Sequence, residues 1–353
     1  MHMADALVSP AVGAAMYSVS AVTAGLSVYR LRKEEQLQPE LSVRRLPTMA
    51  VMSALVFAGQ MVNYTIPGTG SSGHLCGGLL LTALLGPWAG FLSMLAVLAI
   101  QCLFFADGGL LALGANLWNM AFYGCFVGYY LVYRPIMGAK RLKPTAKLVL
   151  ASVLGCLLSL QLGAFSVVVE TSLSGVTELP FGVFLALMQP IHLAIGAVEG
   201  LITAAVLVFV YKARPELLPD LQSSEKEGGR FSIRGTLATL AVVAIVTGGG
   251  LSLLASGNPD GLEWSLFGNS EAGYSENLGL DEDAYGIESS AARTAGALQE
   301  KTALLPDYGF ADGSEQPLGT SVSGIAGIGL VAVFVSLVCF AGGLLRRREG
   351  GKK

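Results

Sequence analysis

The stretch "LCGGLLLTALLGPWAG", residues 75–90, contains an apolar run that is short for a membrane span. Whether this run crosses the membrane decides on which side all later loops lie. The run covers residues 75–85 and ends at Gly86-Pro87. A membrane-spanning helix needs roughly 20 apolar residues. We predict that this shorter run is helical, partly buried among other helices, and that it still crosses the membrane.

The composition around this run is that of an integral membrane protein. Hydrophobic residues make up 53% and charged residues 13% of the chain, against about 25% charged in a soluble domain. Mean hydropathy is +0.61. Longer apolar runs lie at residues 11–30, 46–66, 87–105, 110–133, 146–169, 181–211, 233–255 and 322–345. With the short run they predict nine spans, in an all-α fold with a seven-helix bundle followed by two further transmembrane helices.

The lysines and arginines predict the orientation of these spans. If the N-terminus is extracytoplasmic and all nine runs cross, only Arg293 and Lys301 of the 22 basic residues fall outside the cytoplasmic loops and tail, as the positive-inside rule requires. The C-terminus is then cytoplasmic. The opening "MHMADALVSP" has no basic region of the kind that begins a signal peptide. We therefore expect it to remain part of the mature, multi-pass chain.

The chain divides at a charged segment that contains proline and glycine. Residues 1–214 form the predicted seven-helix unit, and residues 215–232 a cytoplasmic linker. Residues 233–353 contain the last two helices, which enclose an acidic extracytoplasmic loop at 256–321. Such a loop is too polar to predict a large core of its own.

The glycine-rich stretch "PGTGSSGHLCGG", residues 67–78, has the G-x-G-x-x-G spacing of a dinucleotide loop. That motif functions between a strand and a helix of a soluble βαβ unit, whereas here it lies between two membrane spans. No P-loop motif occurs in the sequence, so we do not expect this chain to hydrolyse ATP through one. Its charge pattern gives no sign of a nucleic-acid partner, and its five cysteines have no paired spacing that predicts disulfides.

Two of the three histidines, His2 and His74, lie on the predicted outer face. A free α-amine, the backbone nitrogen of residue 2 and its imidazole can close five- and six-membered rings around one ion. Met1 is expected to be retained because its removal normally needs a small second residue. His74 would supply a fourth nitrogen, and four planar nitrogens suit Ni(II) or Cu(II). The alternative is that His2 is incidental and His74 is a solvated loop residue.

Four motifs resemble one family. "MHMADALVSP" resembles the "MHIPDGFLSP" opening of the NikM/CbiM family, the substrate-binding membrane components of energy-coupling-factor transporters for nickel and cobalt. "FAGQMVNYTIPGTGSSGHLCGGLLLTALLGPWAG" (57–90), "LFFADGGLLALGANLWNMAFYG" (103–124) and "HLAIGAVEGLITAAV" (192–206) are similar to further motifs of that family. The resemblance covers about residues 1–211. It implies that the metal ligands are the amine of Met1, the backbone nitrogen and imidazole of His2, and His74.

The sequence departs mildly from that pattern. Met3-Ala4 replaces an Ile-Pro pair, and Cys76 stands where leucine is common. Cys76 is either a packing residue or an accidental soft ligand. Further along, "NPDGLEWS" (258–265) resembles the PDGLE module of NikN-type accessory components, whose loop is implicated in metal loading. Asp260 and Glu263 of this stretch are candidates to attract cations, or are simply solvated.

Polar residues within or beside the spans are candidates to support the site. A polar group inside a membrane is costly unless it has a partner. Their alternative role is plain hydrogen bonding between helices. The candidates near the predicted outer face are Gln60, Asn63, Asp107, Asn116 and Asn119.

Two helical patterns leave their role open. His192 and Glu199, seven residues apart, share one helix face and form either a buried packing pair or part of a metal path. Ala50, Ala54 and Ala58 form a small-residue stripe that permits close helix approach. That stripe faces either a partner subunit or a helix of the same chain.

The sequence and the resemblance together predict a substrate-specificity subunit that imports Ni(II) and is not an enzyme. The resemblance implies a location in a prokaryotic cytoplasmic membrane. It also implies a transmembrane T component (NikQ/CbiQ-like) and cytoplasmic ATPases (NikO/CbiO-like) as partners, with the metal as cargo and no cofactor. A Co(II) importer supplying cobalamin biosynthesis is the nearest alternative. A metal sensor or a metal-dependent intramembrane enzyme would need a signalling domain or a motif such as H-E-x-x-H, and neither is found in the sequence.

Overall fold

A computed structural model describes residues 1–37, 39–176, 179–221, 229–269 and 285–350 of the chain. Parts of the predicted linker and of the predicted acidic loop, residues 222–228 and 270–284, lie outside the described residues. Nearly all regular structure is helical. One two-stranded antiparallel sheet, β1 (Tyr64–Ile66) and β2 (Ser71–Gly73), forms a hairpin before His74.

The N-terminal region contains eight α-helices and one π-helical segment, Leu117–Tyr133, which continues α5 into α6. The α-helices are α1 (Pro10–Leu37), α2 (Pro39–Gln60), α3 (Gly78–Leu85), α4 (Pro87–Phe105), α5 (Leu113–Asn116), α6 (Arg134–Met137), α7 (Pro144–Ser174) and α8 (Phe181–Ala213). The C-terminal region adds α9 (Ile233–Gly249), α10 (Gly261–Phe267), α11 (Ser290–Thr302) and α12 (Gln316–Gly350). Short 3-10 turns occur at Asp5–Leu7, Pro215–Leu217, Leu251–Leu254 and Pro306–Tyr308.

Five helices of the described chain are long and apolar enough to cross a membrane: α1, α4, α7, α8 and residues Gln316–Val338 of α12. Two shorter apolar helices, Leu46–Gln60 within α2 and all of α9, coincide with further predicted spans. The prediction of a helical, multi-pass membrane protein is therefore confirmed. The count of nine spans and the orientation of the termini stay predictions.

Helix α3, which forms within the short apolar run at residues 75–85, has eight residues and every one of them is buried. Eight residues span about 12 Å, less than half of the roughly 30 Å hydrocarbon core. Gly86 turns the chain with φ 82°, and a Cβ on Gly90 would lie 2.6 Å from Thr82 Oγ1. The glycines thus let α3 fold back closely against α4.

The segment entering α3 is not helical, and a buried carboxylate binds its backbone. Glu199 on α8 accepts hydrogen bonds from the N–H groups of Cys76 and Gly77, each at 3.0 Å. Irregular backbone at membrane depth is tolerated only where protein groups satisfy it. These bonds explain how the non-helical residues before α3 can be buried. A packing pair with His192 is one of two roles that the sequence leaves open for Glu199, and the carboxylate binds this backbone instead.

The C-terminal helices pack on the N-terminal region through α2. A Cβ on Gly327 of α12 would overlap the ring of Phe57 on α2, so the two helices are in close contact there. The predicted alanine stripe at Ala50, Ala54 and Ala58 is buried within the chain. Internal packing is thus the alternative that the structure favours for this stripe.

Candidate metal site

The N-terminal segment is an interior element of the fold. Met1 is 4% and Met3 0% exposed. The backbone of Met3 donates to Asn116 Oδ1 at 2.7 Å and accepts from the N–H of Gly109 at 2.9 Å. A Cβ on Gly109 would overlap the carboxylate and backbone of Asp5. Only glycine at this position lets the segment lie against the turn between α4 and α5.

The α-amine of Met1 lies between an imidazole and a carboxylate. Its nitrogen is 3.4 Å from Nε2 of His74 and 2.5 Å from Oδ2 of Asp260. His74 follows the β1–β2 hairpin, whereas Asp260 comes from the C-terminal region, 259 residues after Met1. The fold therefore brings together three groups from three distant parts of the sequence.

His74 presents a lone pair to the amine. The ring is 7% exposed, and its Nδ1 lies 3.1 Å from the carbonyl oxygen of Leu75. Because a carbonyl only accepts, Nδ1 carries the proton, and in the neutral ring Nε2 is left as an acceptor. This tautomer is the one that a metal ligand binding through Nε2 requires.

His2 stacks on His74, with ring centroids 5.3 Å apart and planes inclined by 22°. Its Nδ1 lies 3.2 Å from Oδ1 of Asp107. Within the described part of the chain, the buried Nε2 of His2 has no hydrogen-bond partner. The six-membered chelate ring requires Nδ1. His2 must therefore turn away from Asp107 to ligate an ion together with its own backbone nitrogen.

The site contains two neutral imidazoles beside one ion pair, which the Met1 amine forms with Asp260. Burial lowers the pKa of His2, and it lowers the pKa of His74 to about 3. Burial also acts to lower the pKa of the Met1 amine, but the charge and hydrogen bond of Asp260 outweigh it and the pKa is raised. The same ion pair holds the pKa of Asp260 below its usual range, although burial opposes this.

The predicted supporting residues lie around the N-terminal segment and the His74 loop. Gln60 donates to the carbonyl oxygen of Cys76 at 2.9 Å, and Asn116 also donates to that of Met3 at 3.2 Å. Asn119 donates to Glu170 Oε2 at 2.7 Å. Asn63 makes its contact through its backbone carbonyl, which accepts from the N–H of Ser256 at 2.8 Å.

Of the two predicted acidic residues in the PDGLE stretch, only Asp260 faces the amine. It is the N-cap residue directly before α10, and its Oδ1 accepts from the N–H groups of Leu262 and Glu263 at 2.7 and 3.0 Å. Glu263 turns back and accepts from the N–H of Asp260 at 3.1 Å, which completes a capping box. The negative charge of Asp260, with burial, raises the pKa of Glu263 to about 7.

The PDGLE stretch is joined to the His74 hairpin by backbone contacts. The N–H of Ser72, two residues before His74, donates to the carbonyl oxygen of Pro259 at 2.8 Å. Ser72 and Asp260 also form a parallel β-bridge. Asp260 is consequently fixed relative to His74 by main-chain bonds as well as by its side chain.

Sequence reasoning missed Tyr308, which contacts the other side of the site. Its hydroxyl donates to Oδ2 of Asp107, whose Oδ1 faces His2. The Tyr308 ring stacks on Phe105 with centroids 5.0 Å apart. Gln299 on α11 also reaches this region, donating to the carbonyl oxygen of Gly108 at 2.7 Å. A polar loop without a repeating pattern offers no signal from which these contacts could be found.

The two other residues with ligand chemistry lie beside the site. A small cavity is lined by Met1, His74, Cys76, His192 and Asp260, among others. His192 is buried on α8, and its Nδ1 donates to the carbonyl of Met188 one turn earlier at 2.8 Å. Among the described residues no three His, Cys, Asp or Glu side chains form a metal cluster.

Comparison with protein families identifies both regions of the chain. Residues 2–217 match the model of CbiM, the "cobalt uptake substrate-specific transmembrane region", and residues 234–347 match the PDGLE domain. The chain belongs to the CbiM family. A C-terminal PDGLE domain is fused to it. The resemblance stated from the sequence motifs is thus confirmed.

Relatives share this fused organisation over almost their whole length. The chain is 30% identical to the fused nickel transport protein NikMN of Rhodobacter capsulatus, over 98% of this chain and 99% of that one. It is 33% identical, over 94% and 95%, to an Archaeoglobus fulgidus protein assigned provisionally as a fused NikMN. A crystal structure described as a truncated transition metal transporter aligns with a TM-score of 0.50 at 32% identity, covering 60% of this chain and 98% of that one. The chain is therefore a component of membrane metal transport.

Proposed function

We propose that this chain is the substrate-specificity subunit of an energy-coupling-factor importer for Ni(II). The buried approach of the Met1 amine to the neutral Nε2 of His74, at 3.4 Å, carries the proposal. An amine and an imidazole that share one buried volume provide two nitrogen donors for a cation. The fused nickel transport relatives support nickel as the cargo.

The proposed ligands are four nitrogens: the amine of Met1, the backbone and imidazole nitrogens of His2, and Nε2 of His74. His2 already lies against His74, with its ring stacked on the other imidazole. A turn of the His2 ring closes the chelate, and four nitrogens in one plane suit Ni(II). Asn116 and Gln60 support this plane by binding the backbones of Met3 and Cys76.

The metal is cargo in this proposal, and we expect no enzymatic activity in this chain. ATP hydrolysis belongs to cytoplasmic NikO/CbiO-like subunits joined through a NikQ/CbiQ-like transmembrane component. The N-terminus, and with it the metal site, faces the outside of the cytoplasmic membrane. Co(II) is the second candidate cargo, because the matched family model is named for cobalt uptake.

The test compares the same protein tagged at either end. The amine is buried and ion-paired, so residues added before Met1 both convert it to a peptide nitrogen and force a chain into filled space. We expect equilibrium dialysis to find tight Ni(II) binding by the C-terminally tagged protein. An uncleaved N-terminal extension should abolish that binding. If both forms bind equally well, the amine is not a ligand and the four-nitrogen site is wrong.

A further inference from the structure

One oxygen of the Asp260 carboxylate is held by the first N–H groups of helix α10, and the other oxygen faces the metal site. Oδ1 binds the N–H groups of Leu262 and Glu263 at the start of α10. Oδ2 faces the site and lies 2.5 Å from the amine of Met1. The side chain is 15% exposed. Asp260 therefore presents a fixed oxygen to whatever cation occupies this place.

The spacing of the donors fits a single coordination sphere. Oδ2 of Asp260 lies 2.5 Å from the Met1 nitrogen and 3.9 Å from Nε2 of His74, and the two nitrogens are 3.4 Å apart. At metal-to-donor distances of about 2.0–2.2 Å, neighbouring donors lie about 3 Å apart. A donor outside the plane of the nitrogens neighbours each of them, so Oδ2 of Asp260 has to approach Nε2 of His74 by about 1 Å. All three atoms reach one ion after shifts of less than about 1 Å.

The charge facing Asp260 is the same with an ammonium group or with a chelated ion. The ammonium carries one positive charge. A divalent ion bound by the amine and by a deprotonated backbone nitrogen also carries one net positive charge. A buried carboxylate without a neighbouring positive charge is strongly disfavoured. Because the chelated ion supplies the same positive charge as the ammonium group did, we expect Asp260 to stay beside it.

We propose that Oδ2 of Asp260 is a fifth metal ligand, outside the plane of the four nitrogens. This inference rests on the four-nitrogen site proposed above. Because Asp260 belongs to the PDGLE domain, the fused C-terminal region then completes the coordination sphere. The CbiM-like region alone would hold the same ion with four nitrogens.

The experiment is X-ray absorption at the nickel edge on the full chain with a native N-terminus, loaded with less than one equivalent of Ni(II). Four-coordinate planar Ni(II) gives a sharp pre-edge peak that an added axial ligand removes. We expect no such peak and five nitrogen or oxygen ligands in the unmodified protein. In Asp260→Ser the peak should appear and the ligand number should fall by one. Serine still caps a helix but is too short to reach the ion.

Glu263→Gln is the matched control. This substitution removes a carboxylate one helical turn after Asp260 and keeps an amide oxygen that can accept from the Asp260 N–H. The nickel spectrum of Glu263→Gln should therefore equal that of the unmodified protein. A planar peak in the unmodified protein overturns the fifth ligand and leaves the four-nitrogen site standing. Five ligands in both the unmodified protein and Asp260→Ser overturn it as well. Absence of bound Ni(II) in the unmodified protein overturns the proposed function itself.

Discussion

At the scale of single residues, the site places a protonated amine between two groups whose pKa values are both lowered, an imidazole and a carboxylate. His74 is kept neutral by burial, whereas Asp260 is kept ionised by the amine. The carbonyl oxygen of Leu75 fixes which nitrogen of His74 faces inward. One backbone acceptor therefore determines that Nε2, rather than Nδ1, is available to a metal ion.

His74→Ala should remove high-affinity Ni(II) binding, because the fourth nitrogen is lost from the plane. We expect the affinity to fall by more than about 100-fold, since even residues that only support metal ligands cost 10–100-fold. His192→Ala is the control. Both substitutions remove the same imidazole ring from a buried position, so they create similar cavities. His192, however, is not among the proposed ligands. Competition titration gives the affinities, and gel filtration checks that each variant is folded. Equal losses of affinity would contradict the assignment of His74.

At the scale of elements, the sequence motifs predicted which segments lie together. They did not predict local structure that depends on contacts with residues distant in the chain. His2, His74 and Asn116 lie in three of the motifs that carry the family resemblance, and all three lie together in the structure. The length of α3 was not predictable, because apolar composition does not reveal that Glu199 binds the extended backbone before it. The π-helical form of Leu117–Tyr133 has no sequence signal that we recognise.

The N-terminal segment packs against the turn between α4 and α5. Gly109→Ala places a methyl group where the Asp5 carboxylate lies and should displace Met1 and His2 from His74. Overpacking costs typically ~1–3 kcal/mol, which corresponds to a Ni(II) affinity lowered about 5- to 150-fold. Gly182→Ala at the start of α8 is the control, because a Cβ there meets open space. Isothermal titration on both variants measures the affinities, and an unchanged affinity in Gly109→Ala would show that the segment adapts.

At the scale of the whole molecule, the C-terminal region contacts the site on two sides. Asp260 meets the amine, and Tyr308 binds Asp107 beside His2. These pairs are 259 and 201 residues apart in the chain. The acidic and polar composition of this loop does not predict where it docks, although the PDGLE resemblance singled out Asp260 as a candidate to attract cations. The packing of α12 and α9 on α2 and the main-chain bonds between Ser72 and the PDGLE stretch together place the loop where both contacts form.

That packing should hold the two regions together without the linker. We expect residues 1–221 and 222–353, co-expressed as separate chains, to purify together in detergent, because helix association in membranes depends on close van der Waals contact. Gly327→Leu in the second chain would overlap Phe57 on α2 and should abolish co-purification.

Gly329→Leu is the matched control for the split chain. It adds the same side chain two residues later on α12, where a Cβ meets nothing within 4 Å, so the two chains should still purify together. The measurement is the ratio of the two chains after affinity purification through a tag on the second chain. If Gly327→Leu retains its partner as fully as Gly329→Leu does, the contact with Phe57 does not hold the regions together. The loop contacts at Asp260 and Tyr308 would then have to provide that attachment.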